Sequence, residues 1–384
     1  MRRGYGATCV GALVLCTVAI APAQPRGIPG LTAAPQVRAA YDAIFDARFD
    51  EVPRRLAETC GPAPPEACRL LDALNTWWQI QLDPHNRSRD ATFNARVDAA
   101  IAATAAWTVR EPLRAEAWFY LGAAYGARVQ WRSLRGETLA AARDGKRIKD
   151  ALEQALALDP DMQDAWFGIG LYHYYAAIAP TMAQILRWLL FLPGGDREQG
   201  LQQMARAREG GVLVRSEADY QLHLIYIWFE RAPAASLDLL AGLRRRHPGN
   251  PHFVQATARI QDVYLSDIAG SLGTWEALLA DARAGRVRQR ALAETSARLG
   301  AALQLDRLRR YDAAMAHLRA VIAGNPAAPY GAVSQAHLQL GDVHAHAGRA
   351  DDAAAAYRLA ITTAPAGDPL RTRARASDAL RSLR

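Results

Sequence analysis

Along this chain the apolar residues recur at helical spacing, and no window alternates apolar with polar residues for long. Helices are therefore expected throughout and strands are not. The stretch "HLQLGDVHAHAGRADDAAAAYRLAITTAP" holds two such helices in succession. Pro112, Pro160, Pro248, Pro326 and Pro365 recur where apolar stretches end, as expected where a helix must stop. The first residues follow a different pattern. Arg2 and Arg3 precede a short apolar core from Cys9 to Ile20, and "APAQ" then offers a small-residue cleavage site after Ala23. That is a secretory signal pattern, too short for the ~20 apolar residues a spanning helix needs. Bulky Leu15 before Cys16 argues against lipid anchoring.

The helical pattern is also self-similar. His337, Leu340, Gly341 and His344, followed by Ala353, Tyr357, Ala360 and Pro365, match the consensus of the roughly 34-residue tetratricopeptide repeat with no gap. In this copy both aromatic anchors have become histidine. Trp118, Leu121, Gly122 and Tyr125 repeat the signature, but their second helix "IKDALEQALALDP" comes later than the consensus places it. Trp166, Ile169, Gly170 and His173 form another copy, and Leu299, Gly300, Tyr311, Ala314, Leu318 and Pro326 a further one. The chain resembles tetratricopeptide repeat (TPR) proteins over nearly all of its length beyond the N-terminal segment. The stretches "WFYLGAAYG", "GKRIKDALEQALALDP", "GIGLYHYY" and "LPGGDREQG" resemble exported bacterial TPR proteins with no assigned activity.

The resemblance implies an all-α fold, a right-handed α-solenoid of about seven or eight TPR-like helix pairs, because one pair cannot cover its own apolar faces. The expected organisation is a signal peptide over 1–23, a short linker over 24–34 and a single solenoid over 35–384. Insertions are expected near 128–142 and 176–198.

Composition narrows the function. The chain has 384 residues, 51% of them hydrophobic, and a formal net charge of +8. Nearly every cation is arginine, scattered among acidic residues, and the only lysines are Lys146 and Lys149. A nucleic-acid binder would concentrate its charge on one stripe, so no nucleic-acid partner is expected. Cys9 and Cys16 leave with the signal, and Cys60 and Cys68 remain in "CGPAPPEAC". In an oxidising compartment these two form a structural disulfide; a redox pair is the alternative.

"GLYHYYAAIAP" places His173 among tyrosines. In the repeat pattern His173 stands for a core tyrosine, which makes it a packed histidine with a hydrogen-bond partner rather than a ligand or base. The groove positions of the family map onto Phe119, Phe167, Tyr174, Tyr175, Trp228 and Phe229, which implies a concave aromatic groove for a protein or peptide. The competing expectation is self-filling: Ile185, Trp188, Leu189 and Leu192 of the 176–198 insertion could lie in that groove. An interfacial membrane contact through 180–192 is a further alternative.

Catalytic motifs are lacking. "RDGKRIKD" has no P-loop spacing, and no G-x-S-x-G or H-E-x-x-H occurs. His344 and His346, two apart on one helix, point apart and make no metal site. No cofactor, metal or catalytic residue is expected. The leading reading is an exported scaffold. The alternatives are an accessory component of an envelope or secretion assembly, and an exported enzyme using His173 and the tyrosines.

Overall fold

The computed structural model describes residues 27–178 and 194–383. Its described residues form seventeen helices and no strand beyond one isolated bridge, Ile28 to Arg114. In order they are α1 (Ala34–Phe45), α2 (Val52–Thr59), α3 (Pro65–Leu82), α4 (Asp90–Arg110), α5 (Ala115–Arg135) and α6 (Thr138–Leu158). Then come α7 (Ala165–Ile178), α8 (Arg197–Gly210), α9 (Arg215–Trp228), α10 (Pro233–Arg246), α11 (Pro251–Val263) and α12 (Ile268–Arg283). The last are α13 (Arg290–Arg307), α14 (Tyr311–Gly324), α15 (Ala332–His346), α16 (Ala350–Thr363) and α17 (Thr372–Ser382). Each helix packs chiefly on its sequence neighbours, giving eight successive hairpins and a final single helix. First helices of adjacent hairpins also touch, as α3 does α5 and α13 does α15. This is an α-solenoid of stacked antiparallel helix pairs.

Local chemistry sets these boundaries. α4, α6, α10, α14 and α16 each stop two residues before one of the five prolines noted above, where the proline ring forbids a helical predecessor. The small consensus residues lie where helices press together. A side-chain carbon on Gly170 of α7 would meet the Gly200 carbonyl of α8 at 2.7 Å and the Met204 amide at 2.9 Å. Only glycine lets these two backbones approach so closely. In the C-terminal copy His337 and His344 are both buried, so the histidines occupy the core places of the consensus aromatics.

The expected insertion near 128–142 is not a loop. α5 and α6 absorb it by running 21 residues each, with Gly136 in the left-handed region between them. Asp144, 0% exposed, fastens the extra turns by accepting hydrogen bonds from Arg128 at 2.8 and 2.9 Å, Arg132 at 2.5 Å and Arg147 at 2.9 Å. The described part of the expected linker is docked on the body. Ile28 donates to the Leu113 carbonyl at 2.8 Å, and the Thr32 amide and hydroxyl each bond Glu116 at 2.7 Å. Cys60 and Cys68 are joined by a disulfide between the end of α2 and the start of α3.

The coil closes on itself. Helices α1 and α3 reach across its inside to α9 and α11, although half the chain separates them in sequence. Phe45 lies 4.5 Å from Trp78 and 5.2 Å from His247 between ring centroids, and Trp78 lies 5.0 Å from Tyr220 and 6.0 Å from Phe253. Hydrogen bonds seal the contact: Gly249 to Asp46 at 2.7 Å, Asn250 to the Phe45 carbonyl at 2.7 Å, and the Tyr330 amide to Asp83 at 3.0 Å. The expectation of an open concave cleft along the middle of the solenoid is corrected here, because the chain's own first helices fill it. The segment expected to do so, with Ile185, Trp188, Leu189 and Leu192, lies in 179–193, outside the described residues.

At the heart of the closed interior sits Glu217, buried with no cation partner among the described residues. It accepts from Tyr41 at 2.8 Å, Gln130 at 3.1 Å and Gln221 at 3.0 Å. Burial pushes its carboxyl above the usual range despite those donors. The folded chain therefore keeps a proton here at a pH where the unfolded chain has released it. Stability from this group is fully present below the unfolded carboxylate pKa and is lost as pH rises through the raised folded one. Glu217→Gln should remove that component, so the difference in melting temperature between variant and parent should grow in the variant's favour from acid to neutral pH. Parallel curves across that range would show that Glu217 is not the titrating group.

Candidate functional site

The six groove candidates separate in space. Phe119 is buried against Tyr120, with ring centroids 5.2 Å apart. Phe167 is half-buried and packs on the cluster that holds Tyr174, Met204, Leu222 and Ile225. Tyr174 is itself fully buried in the α7–α8 seam, and its hydroxyl donates to Glu230 at 2.5 Å. Glu230 is also held by Arg197, whose Nε lies at 2.9 Å. Burial first, and then the Glu230 carboxylate, push the Tyr174 phenol up. His173 makes the hydrogen bond expected of a packed histidine, with its Nδ1 2.9 Å from the Gln203 carbonyl oxygen.

Tyr175, Trp228 and Phe229 instead reach the surface. Their exposures are 39%, 58% and 47%. Tyr175 meets Phe229 edge-on at 5.8 Å, and Tyr174 backs the same ring at 6.2 Å. Three apolar residues at the end of α11 (Val263, Tyr264 and Leu265) are exposed in the same way, Val263 to 66%, and so are Leu303 and Leu308 at the end of α13. These positions are the C-terminal ends of first helices in four consecutive hairpins, α7, α9, α11 and α13. First helices run parallel in a solenoid, so their ends form one edge. The result is an interrupted apolar ridge along that edge.

Family offsets pointed only to its first half. The second half had a simpler signal in "QDVYLSD". Consecutive large apolar residues span more of a helix circumference than one core-facing stripe covers, so some must face outward. "YY" and "WF" obey the same rule.

The histidines of α15 diverge as expected. His344 turns toward Asp352 at 3.7 Å, and His346 bonds Asp306 at 2.9 Å. Among the described residues no group of three or more His, Cys, Asp or Glu side chains is placed to hold a metal, and no helix is long and apolar enough to cross a membrane.

The class of the molecule is thus a helical-repeat solenoid whose inner face is occupied and whose apolar side chains emerge along one edge. No family model and no curated protein matches the sequence. Among solved structures the chain is similar to yeast Tom70, at 14% identity and TM-score 0.42, with 83% of this chain and 64% of that one covered. It is also similar to the APC/C hetero-tetramer Cut9–Hcn1, at 13% identity and TM-score 0.42, over 87% and 59% of the two chains. A third is NprR in complex with its cognate peptide NprX, at 10% identity and TM-score 0.39, over 91% and 82%. The chain spans less than two thirds of the length of the first two.

Proposed function

We propose that this chain is an exported, non-catalytic scaffold that binds a protein partner along the edge formed by Tyr175, Trp228 and Phe229. The observation that carries the reading is the recurrence of exposed large apolar side chains at the ends of the first helices of four successive hairpins. Scattered surface leucines are ordinary, whereas exposed apolar side chains that cluster, as Tyr175 and Phe229 do at 5.8 Å, mark an interaction surface. Aromatic anchors are the side chains that dominate binding energy in such surfaces. Export is supported by the N-terminal signal pattern and by the joined Cys60 and Cys68, since such bonds persist in oxidising compartments.

A photo-reactive residue at position 228 tests the reading in the native host. It should capture one discrete partner, whereas the same probe at Val109, an exposed apolar residue at the end of the second helix α4, should not. With that partner purified, Trp228→Ala should weaken binding about thirtyfold, the loss of a hot spot worth about 2 kcal/mol. Identical labelling at both positions, or unchanged affinity in the variant, would remove the edge from consideration.

A further inference from the structure

A second surface feature, independent of the apolar edge, lies on the face where α1 meets α9 and α10. A cleft of about 360 Å³ opens there, lined by Arg38, Asp42, Asp46 and Arg48 from α1 and the turn after it, by Arg215 and Ser216 from the start of α9, and by Arg246 and His247 from the end of α10. That volume falls at the lower end of the range for small-ligand sites.

The charges do not cancel. Four arginines face two aspartates. Arg48 lies 3.1 Å from Asp46 and 3.6 Å from Glu51, a carboxylate that Arg55 outside the cleft already holds at 2.9 Å, and Arg38 lies 3.8 Å from Asp42. Arg246 pairs with Asp219, but Arg208 shares that one carboxylate. Arg215 is exposed and has no ion pair among the described residues. Two positive charges are therefore left over, one on Arg215 and one on the Arg246–Arg208 pair. The last turn of α10 brings a partial negative charge to the cleft, and the first turn of α9, which has no side-chain cap, brings a partial positive one. These roughly offset, and the guanidinium excess decides the sign.

The floor of the cleft is built rather than incidental. Ser216 and His247 are each more than nine-tenths buried, with Oγ 2.7 Å from Nε2. Arg246 Nε donates to the same Oγ at 3.4 Å. Burial, reinforced by the Arg246 and Arg48 guanidiniums, holds His247 at about 3, so its ring is neutral. A neutral ring carries one proton. With that proton on Nε2, Oγ accepts from both His247 and Arg246, and the serine's own proton must turn outward. The seryl hydroxyl then becomes a donor held in place at the base of a cationic cleft.

We propose that this cleft binds a small molecule bearing a phosphomonoester dianion, with Arg215 and Arg246 matching its two charges and with the bound anion selecting the His247 tautomer protonated on Nε2, which frees the Ser216 hydroxyl to donate to a phosphate oxygen. Arginine suits this role because its planar fork grips phosphate oxygens in pairs.

Calorimetric titration of the full chain with inorganic phosphate and with glycerol phosphate, at ionic strength held constant by sodium chloride, tests the assignment. Both should saturate one site per chain, and malonate, a dicarboxylate, should bind more weakly. Arg215→Gln, on the surface and without folding consequence, should weaken phosphate binding at least about tenfold, as the loss of a charge-assisted contact requires. Ser216→Ala should weaken it as well. Arg69→Gln, beside the separate cleft near Glu66 and Arg110, should leave it unchanged. Heats that do not saturate, an affinity unmoved by Arg215→Gln, or malonate binding as tightly as phosphate would overturn the proposal.

Discussion

Trp78→Ala is expected to destabilise the chain by about 3–5 kcal/mol, the usual loss when a buried indole is truncated. Few side chains in this molecule carry as much. Trp78 is fully buried and touches Phe45 of α1, Tyr220 of α9 and Phe253 of α11, with His252 at 6.3 Å. It thus joins four helices drawn from two distant parts of the sequence. Its indole N–H has no acceptor among the described residues, so the ring acts through packing alone. Trp78→Phe should for that reason recover most of the loss. Chemical denaturation followed by circular dichroism measures both. An alanine variant within about 1 kcal/mol of the parent would show that α1 and α3 do not brace the inside of the coil.

Gly200→Ala is expected to cost roughly 1–3 kcal/mol, although alanine is the better helix former by about 1 kcal/mol. The sign follows from what the added carbon would meet: the Gly170 carbonyl at 2.7 Å, the Tyr174 amide at 2.7 Å and the Tyr174 Cβ at 2.9 Å. Two of these are backbone atoms of α7 and cannot rotate away. The helices must separate, and Tyr174 then loses its burial and its bond to Glu230. A variant with raised stability, or with Tyr174 still shielded from quenchers, would mean that the α7–α8 seam yields without penalty.

The hairpin architecture was legible because its determinants are local. Prolines stop helices at the places expected, and Gly170 marks a close helix crossing through a pattern contained in a single repeat. His173 reads as a packed residue for the same reason, and in the fold it is half-buried and bonds Gln203 of the neighbouring helix. The closed interior was not legible. Nothing near Phe45 or Trp78 in sequence announces Tyr220 or Phe253, and a repeat consensus describes only neighbours. Family offsets also treated all six ring positions alike, whereas Phe119 and Tyr174 went into seams and Trp228 outward. Which ring is left over depends on the crossing of adjacent hairpins, a geometry that single-repeat spacing does not encode. The cleft above Ser216 and His247 is not legible for a related reason. Its arginines come from three helices and a turn, and one by one they are indistinguishable from compositional scatter.

The self-closure has a kinetic consequence. Repeat arrays ordinarily settle as they are made, each unit on the one before. Here Tyr41 must wait for Glu217, which lies 176 residues later. At about 5–20 residues per second, the ribosome needs roughly nine to thirty-five seconds to supply that partner. Through that interval Phe45 and Trp78 have no completed site, and the apolar surface they later bury stays uncovered. A chain that finishes folding only when its second half arrives also stays threadable for longer than an open array of the same length.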